Sequence, residues 1–408
     1  MKILHISAAA RASGAGYAVM LTHRELIENG IDSKILYLVE QDLLNHTILS
    51  YTSKSIIKKI KRFIVTTLDR CPTWVYPSKM EQLFSSGFFG LSLRHVEPVQ
   101  WADIIHIHWA NHGFVDLKEI RKWKKPVIWT MRDMWPFTGG CHHSSSCDKY
   151  LSFCGCCPVL GSRREKDLSR MALRIKLRNL PAAGIHWVAI SNWLKSRASL
   201  SAVLKNEPIH VIFSGIDCSA FRKVDKGNAR AMMNLPADAK IILIGAANIR
   251  EEYKGYRYII NVLNKINREY LIVTFGNGKI IPDEVHQQVM NFGYLNDENV
   301  LAALYSAADV FLAPSVDEAF GKTFAEAQVC GLPVVCFDET GPADIIEHRK
   351  TGYLAKFKDE GDLMDGLLVC LDSEFDQDYI SNRAKKLFDI HKTAKQYMEL
   401  YENCLGRQ

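Results

Sequence analysis

No run of apolar residues in this chain reaches the about 18 needed to cross a bilayer as a helix, which excludes an integral helical membrane protein. The first seven residues enter a short strand pattern at once and lack the longer apolar segment and cleavage site of a secretory leader, so a cytoplasmic location is expected. Short-period repeats and low-complexity stretches are absent too, which sets aside solenoids and disordered arrays. Charge of one sign is scarce: a net charge of +6 is mild for this length and argues against a whole-surface nucleic-acid binder.

What remains is an ordinary globular composition, 48% hydrophobic and 24% charged, in 408 residues, more than one core usually organises. Two domains are expected. Short β-branched runs at 2–7, 34–39, 104–108, 127–130 and 186–191 alternate with longer helical patterns. The pattern restarts at 241–246, 270–275, 291–294, 309–313 and 333–337. Such alternation predicts an α/β protein of two doubly wound parallel-sheet halves, each binding ligand at the carboxyl ends of its strands, with a cleft between facing halves. Residues 379–405 read as one or two amphipathic helices.

Glu318 and Glu326, with seven residues between them, follow the apolar run 309–313 and flank Gly321, which opens a helical pattern. A helix start of this kind presents free N–H groups to a phosphate, while Glu326 can accept two hydrogen bonds from a ribose diol and Glu318 the same from a hexose. Arg250 and Lys254 follow an earlier strand and can neutralise a leaving diphosphate, and Gly276 and Gly278 permit close backbone approach near a base or ribose. In the first half, Gly14 and Gly16 lie between a strand and a helix, where backbone can approach a diphosphate, although the third glycine of a dinucleotide fingerprint is missing. His106, His108 and His112 fall in or after one strand, as structural or cleft-lining histidines.

Five of the 11 cysteines fall within seventeen residues, at 141, 147, 154, 156 and 157. Thiolates from Cys141, Cys147, Cys154 and Cys157 would make a closed tetrahedral zinc knot; disulfides or unlinked thiols are the other readings. Residues 54–65 interleave Ile and Phe with Lys and Arg at near-helical spacing, which suits either a helix lying on an anionic membrane or a surface helix packed on its own domain.

The order of the Gly-rich first loop, Ser214 to Asp217, Lys254 with Gly255, Gly276 to Gly278, the Glu318 and Glu326 pair, and Cys330 to Val335 resembles the retaining glycosyltransferases of family four across essentially the whole chain. The resemblance implies the GT-B fold: an acceptor-side Rossmann-like domain at 1–208 carrying a Cys-rich insert at 139–160, a nucleotide-sugar-binding domain at 209–385, and a terminal helix at 386–408 that returns to the first domain. It implies donor contacts from Gly14, Gly16, Arg250, Lys254, Gly276, Gly278, Glu318, Phe320, Gly321, Lys322, Thr323 and Glu326. Catalytic roles fall to Arg132, Asp133, Lys254 and Glu318, and acceptor-side roles to His108 and Asn111. Two positions depart from the family: Asn248 where an Arg is usual, with Arg250 as the substitute charge, and Arg132 where many members carry a His. The segment 133–142 resembles an insert of transferases that build bacterial exopolysaccharide or lipopolysaccharide O-chains.

The expected function is therefore retaining transfer of a hexose-type sugar from a UDP- or GDP-sugar to a growing, lipid-linked bacterial glycan. No catalytic metal and no nucleic acid enter; a structural zinc and peripheral contact with the inner membrane face do. The rival readings are a sugar-nucleotide epimerase or phosphorylase of the same fold, and a non-catalytic, zinc-stabilised membrane adaptor.

Overall fold

The structure is a computed structural model that describes residues 1–9, 13–39, 46–52, 55–76 and 82–406. Ala10, Arg11 and Ala12 of the glycine-containing loop and Lys54 of the basic segment lie outside the described residues. The chain divides into two units, residues 1–213 with 393–408, and residues 214–392.

In chain order the first stretch forms β1 (Lys2–Ser7), α1 (Gly14–Glu28), β2 (Asp32–Tyr37), β3 (Ile48–Ser50), α2 (Ile56–Arg70), α3 (Glu97–Trp101), β4 (Ile104–Trp109), β5 (Val127–Met131), α4 (Leu168–Asn179), β6 (Ile185–Ala189), α5 (Asn192–Leu200) and β7 (Ile209–Val211). The second comprises α6 (Lys226–Met232), β8 (Ile241–Asn248), α7 (Tyr256–Lys265), β9 (Leu271–Asn277), β10 (Gln288–Asn291), α8 (Glu298–Ala307), β11 (Val310–Leu312), α9 (Lys322–Val329), β12 (Val334–Phe337), β13 (Gly352–Ala355), α10 (Glu360–Asp372) and α11 (Gln377–Phe388). The final α12 (Ile390–Cys404) belongs to the first unit from Thr393 onward. None of the helices is long and apolar enough to cross a membrane among the described residues.

Among the described residues the first unit carries a seven-stranded sheet in the order β3-β2-β1-β4-β5-β6-β7, and the second a six-stranded sheet in the order β10-β9-β8-β11-β12-β13. Every ladder is parallel. These are the two doubly wound halves expected from the alternating pattern. Strand order reverses beside β1 and β4 in one sheet and beside β8 and β11 in the other, and ligands of such sheets settle at the carboxyl ends next to that reversal.

Both sheets are buried on two faces, which is why their strands read as continuous Ile, Val and Leu runs. Ile242, Ile244, Leu312 and Val335 pack with Val262, Leu363 and Leu367 of the flanking helices, and each such side chain contributes about 1.5–3 kcal/mol on leaving water. In the first unit Ile3, Ile104, Ile128 and Val188 meet Tyr397, Leu400 and Tyr401 of α12. The strand expected at 291–294 is corrected: β10 ends at Asn291, because Gly293 adopts φ +69° to let its carbonyl accept the Gly276 N–H at 2.7 Å, which turns the chain out of the ladder. The edge strands β3 and β13 were not expected; three or four residues are too few to show a period.

Candidate active site

In the second unit β11 runs out through Ala313 to Ser315, and the chain reaches Gly321 at φ +92°, a conformation that a residue with a Cβ adopts only with strain. The space is closed as well, since a Cβ there would lie 2.6 Å from the Phe324 ring. Having no side chain, Gly321 puts no side-chain cap on α9, and its carbonyl accepts the Phe324 N–H at 3.1 Å in the first turn.

Glu326 sits one turn into α9 and is buried. One carboxylate oxygen accepts from Lys322 Nζ at 2.8 Å and the other from Tyr305 Oη at 3.1 Å. Burial and the neighbouring Glu326 raise the Tyr305 phenol, so it stays a donor. Each oxygen retains a lone pair, enough for a vicinal diol. Glu318, before the glycine, takes Lys254 Nζ at 2.5 Å, with both side chains about one-fifth exposed. Lys254, Thr323 and Ser315 line a cavity of about 20 Å³ with Gly245 and Ala246 of β8, where the strand order reverses. Lys254, Glu318, Gly321, Lys322, Thr323 and Glu326 are thus carried on neighbouring elements. Phe320 lies beside them with its ring buried edge-on against Phe388, leaving only its backbone for a ligand.

Other expected donor residues stand differently. Arg250 donates to the Lys279 carbonyl at 2.9 Å and to Glu284 at 2.7 Å, with its guanidinium over Tyr256, while Asn248 Oδ1 accepts the Arg250 N–H at 3.1 Å. The two cations therefore belong to separate networks, and Asn248 fixes the Arg250 turn. At Gly276 a Cβ would lie 1.7 Å from the Ala246 carbonyl oxygen and at Gly278 2.7 Å from Asn248 Oδ1, so the chain's own packing also requires these glycines. In the first unit Gly14 opens α1 with open space beside it, but the Gly16 N–H is already taken by the Ser13 hydroxyl at 3.1 Å.

Asp133 follows β5 and is buried. Its Oδ2 accepts Trp109 Nε1 and His142 Nδ1, both at 2.7 Å, and its Oδ1 accepts the Trp135 N–H at 2.8 Å. Burial alone would push the Asp133 carboxyl up; the His142 imidazole and these hydrogen bonds outweigh it and hold the carboxyl below its usual range. His142 Nε2 lies 3.0 Å from Ser85 Oγ and 3.2 Å from Asn111 Nδ2. Ser85 also lines an open cavity of about 560 Å³ with Arg70, Trp74 and His112. Ser85 and the Asp133 to His142 contact escaped sequence reading, the signal being only His142 beside Cys141. Asn111, expected on the acceptor side, is buried and acts on His142.

Arg132 reaches inward, its Nη2 3.2 Å from His108 Nδ1. The expectation that His108 lines the acceptor side is corrected. It is 1% exposed and bonds to His5 at 2.9 Å, next to His106, which bonds to Tyr401 and Thr130 at 2.7 Å each. His106, bonded to Tyr401 and Thr130, with Thr130 bonded to Tyr397, ties α12 to β4 and β5. His5, His106 and His108 form a trio with nitrogens within 4.8 Å, yet their hydrogen bonds and the adjacent guanidinium disfavour a cation there.

Cys141, Cys147, Cys154 and Cys157 line one cavity of about 10 Å³, whereas Cys156 faces away, its thiol donating to the Arg163 carbonyl at 3.4 Å. All eleven cysteines are free thiols. Burial pushes the Cys154 thiol up to about 12 and raises those of Cys141 and Cys157.

Residues 238–373 match the family described as Glycosyl transferases group 1. That stretch is similar to group 1 glycosyltransferases. A D-inositol 3-phosphate glycosyltransferase of Catenulispora acidiphila is 27% identical over 222 residues, 48% of this chain and 51% of the relative. The chain spans about half the length of the curated relatives it matches first. Over 100% of both chains it superposes on the sucrose-phosphate synthase of Thermosynechococcus elongatus, with a TM-score of 0.72 at 19% identity. HepE of Anabaena, solved with UDP and glucose, gives a TM-score of 0.65 at 14% identity over 99% of this chain and 100% of that one. Likeness at these identities is one of fold. The two units carry the two Rossmann-like parallel sheets of GT-B proteins.

Proposed function

We propose that this protein is a retaining hexosyltransferase that moves a hexose from a UDP- or GDP-sugar to a growing, lipid-linked bacterial glycan at the cytoplasmic membrane face. The observation that carries this reading is the placing of Glu318 and Glu326 on either side of the start of α9, which no side chain caps, in the sheet of the second unit whose strand order reverses beside β8 and β11. HepE, of the same fold, binds UDP and glucose at its own site, which supports the donor class.

In this reading Glu326 holds the ribose, Glu318 the hexose hydroxyls, and the α9 amides with Lys322 and Thr323 the diphosphate. Lys254 exchanges its Glu318 contact for the leaving phosphate, where negative charge grows as the glycosidic bond breaks. The departing phosphate takes the acceptor proton on the same face, so Glu318 and Glu326 bind and do not act as the acid and base of a hydrolase. The acceptor enters near Ser85, beside the Asp133 and His142 pair.

Membrane contact falls to α2. Its apolar residues Ile57 and Phe63 are 78% and 67% exposed, Ile56, Ile60 and Ile64 are exposed as well, and Lys58, Lys59, Lys61 and Arg62 lie among them. The opposite side is tied down by Asp69, which accepts from Ser86 Oγ at 2.7 Å and from the Phe88 N–H at 3.0 Å. An apolar stripe turned outward and flanked by cations suits an anionic bilayer surface.

A panel of UDP- and GDP-sugars read by thermal stabilisation tests the donor class, and NMR of the product tests retention. One donor should raise the melting temperature and yield product with the donor's anomeric configuration. An inverted product, or donor consumed without any acceptor, would overturn the assignment.

A further inference from the structure

The cavity among the cysteines is atom-sized, about 10 Å³, close to the minimum for a single water. Four of the five clustered cysteines line it, and the fifth, Cys156, is turned away onto a carbonyl. Backbone closes in around it: a Cβ on Gly139 would lie 2.8 Å from Cys154 Sγ, and one on Gly155 2.1 Å from the Glu165 carbonyl oxygen. Soft thiolates, four in number and with no place for a water ligand, are the donor set of a closed tetrahedral zinc centre.

Charge agrees. Zinc with four thiolates carries two net negative charges. The fully buried Lys176, pulled down to about 7 by burial, donates to the carbonyls of Trp135 and Thr138 and lies over the face of Trp135, near Cys141 and Cys154. Arg170 donates to the Cys154 carbonyl at 2.8 Å. Two basic side chains therefore flank the place where a dianion would form.

We propose that Cys141, Cys147, Cys154 and Cys157 bind one zinc ion, and that this knot fixes the turn carrying His142 against Asp133. The sulfurs are spaced more loosely than the 4.8 Å of the histidine trio, so capture of the metal draws them inward and tightens the loop. Cys141 precedes His142 directly, and the Phe84 to Cys141 bridge with the Ser85 N–H to Gly140 carbonyl bond of 2.9 Å joins the same turn to Ser85. The metal thus orders the turn joining Asp133, His142 and Ser85 without touching substrate, and the inference stands apart from the donor reading.

The experiment is metal analysis of the full chain purified from zinc-supplemented cells, followed by cobalt exchange. One zinc per chain is expected, and cobalt should give thiolate charge-transfer and tetrahedral ligand-field bands. Cys156→Ser should keep both signals, and Cys154→Ser with Cys157→Ser should lose them. Wild-type protein without zinc, cobalt lacking thiolate bands, or loss of metal in Cys156→Ser would overturn the proposal. Fewer than eleven free thiols on denaturation without reductant would overturn it in favour of a disulfide. Should the double variant fail to fold, the wild-type zinc content and cobalt spectrum still decide.

Discussion

Asp133 and Glu326 are buried carboxylates, and a buried charge persists only where it is paired. The partners come from far along the chain: His142 nine residues after Asp133 in an irregular turn, and Tyr305 twenty-one residues before Glu326 on another helix. Neither contact belongs to any local period, so neither was legible in the sequence, whereas the two glutamates were, because they bracket a glycine after an apolar strand. The buried histidines make a prediction at this scale. Burial, with Arg132 and the neighbouring imidazoles, holds His5, His106 and His108 well below 6.5, and burial takes His23 and His112 to about 4. Tyr397, Tyr401 and Thr130 face the same cluster and supply no anion at neutral pH. The unfolded chain binds protons that the folded chain refuses, so stability is full above pH 6.5 and falls as pH drops towards 4. Each histidine contributes about 1.4 kcal/mol per pH unit in that window. Urea melts at pH 7.5 and 5.5 should show a clear loss of unfolding free energy in acid; equal values would contradict the buried neutral assignment.

At the scale of elements, strands were the most legible features, because parallel strands covered on both faces become unbroken β-branched runs. Those at 104–108 and 127–130 differ from β4 and β5 by one residue at one end. What sequence could not show was the direction of a helix face. The segment 54–65 fits a membrane helix and a packed surface helix equally well in sequence, and only the structure shows that Ile57 and Phe63 on α2 face outward while Asp69 holds the helix to the unit. Flotation with liposomes containing anionic lipid should recover the wild-type protein and lose most of it when Lys58, Lys59, Lys61 and Arg62 become Gln, since each basic residue near such a surface is worth about 1 kcal/mol. Flotation that survives the change would remove α2 as the anchor. The glycines carry a second lesson. Gly276 and Gly278 face the Ala246 carbonyl and the Asn248 amide where a Cβ would stand, a packing demand that the sequence does not separate from room for a ligand.

For the whole molecule, the two parallel sheets were expected from alternation alone, and the family match falls on residues 238–373 of the second unit. The proposed donor site lies on backbone geometry at a strand-order reversal, which leaves a spaced motif in sequence. The first unit leaves less: its polar network is built from Trp109, Asn111, Asp133 and His142, drawn from the ends of two strands and an irregular loop. Glu326 is the residue on which the proposed donor site depends most. Calorimetry of the stabilising nucleotide sugar with wild type, Glu326→Gln and Glu326→Ala is the most direct test, with folding of each variant checked by its melt. Hydrogen bonds to a charged group are worth about 1.5–3 kcal/mol each, so loss of the ribose clamp should weaken binding by at least about tenfold in Glu326→Ala, with Glu326→Gln between. A folded Glu326→Ala variant that binds donor as tightly as wild type would contradict the assignment of this helix as the nucleotide-sugar site.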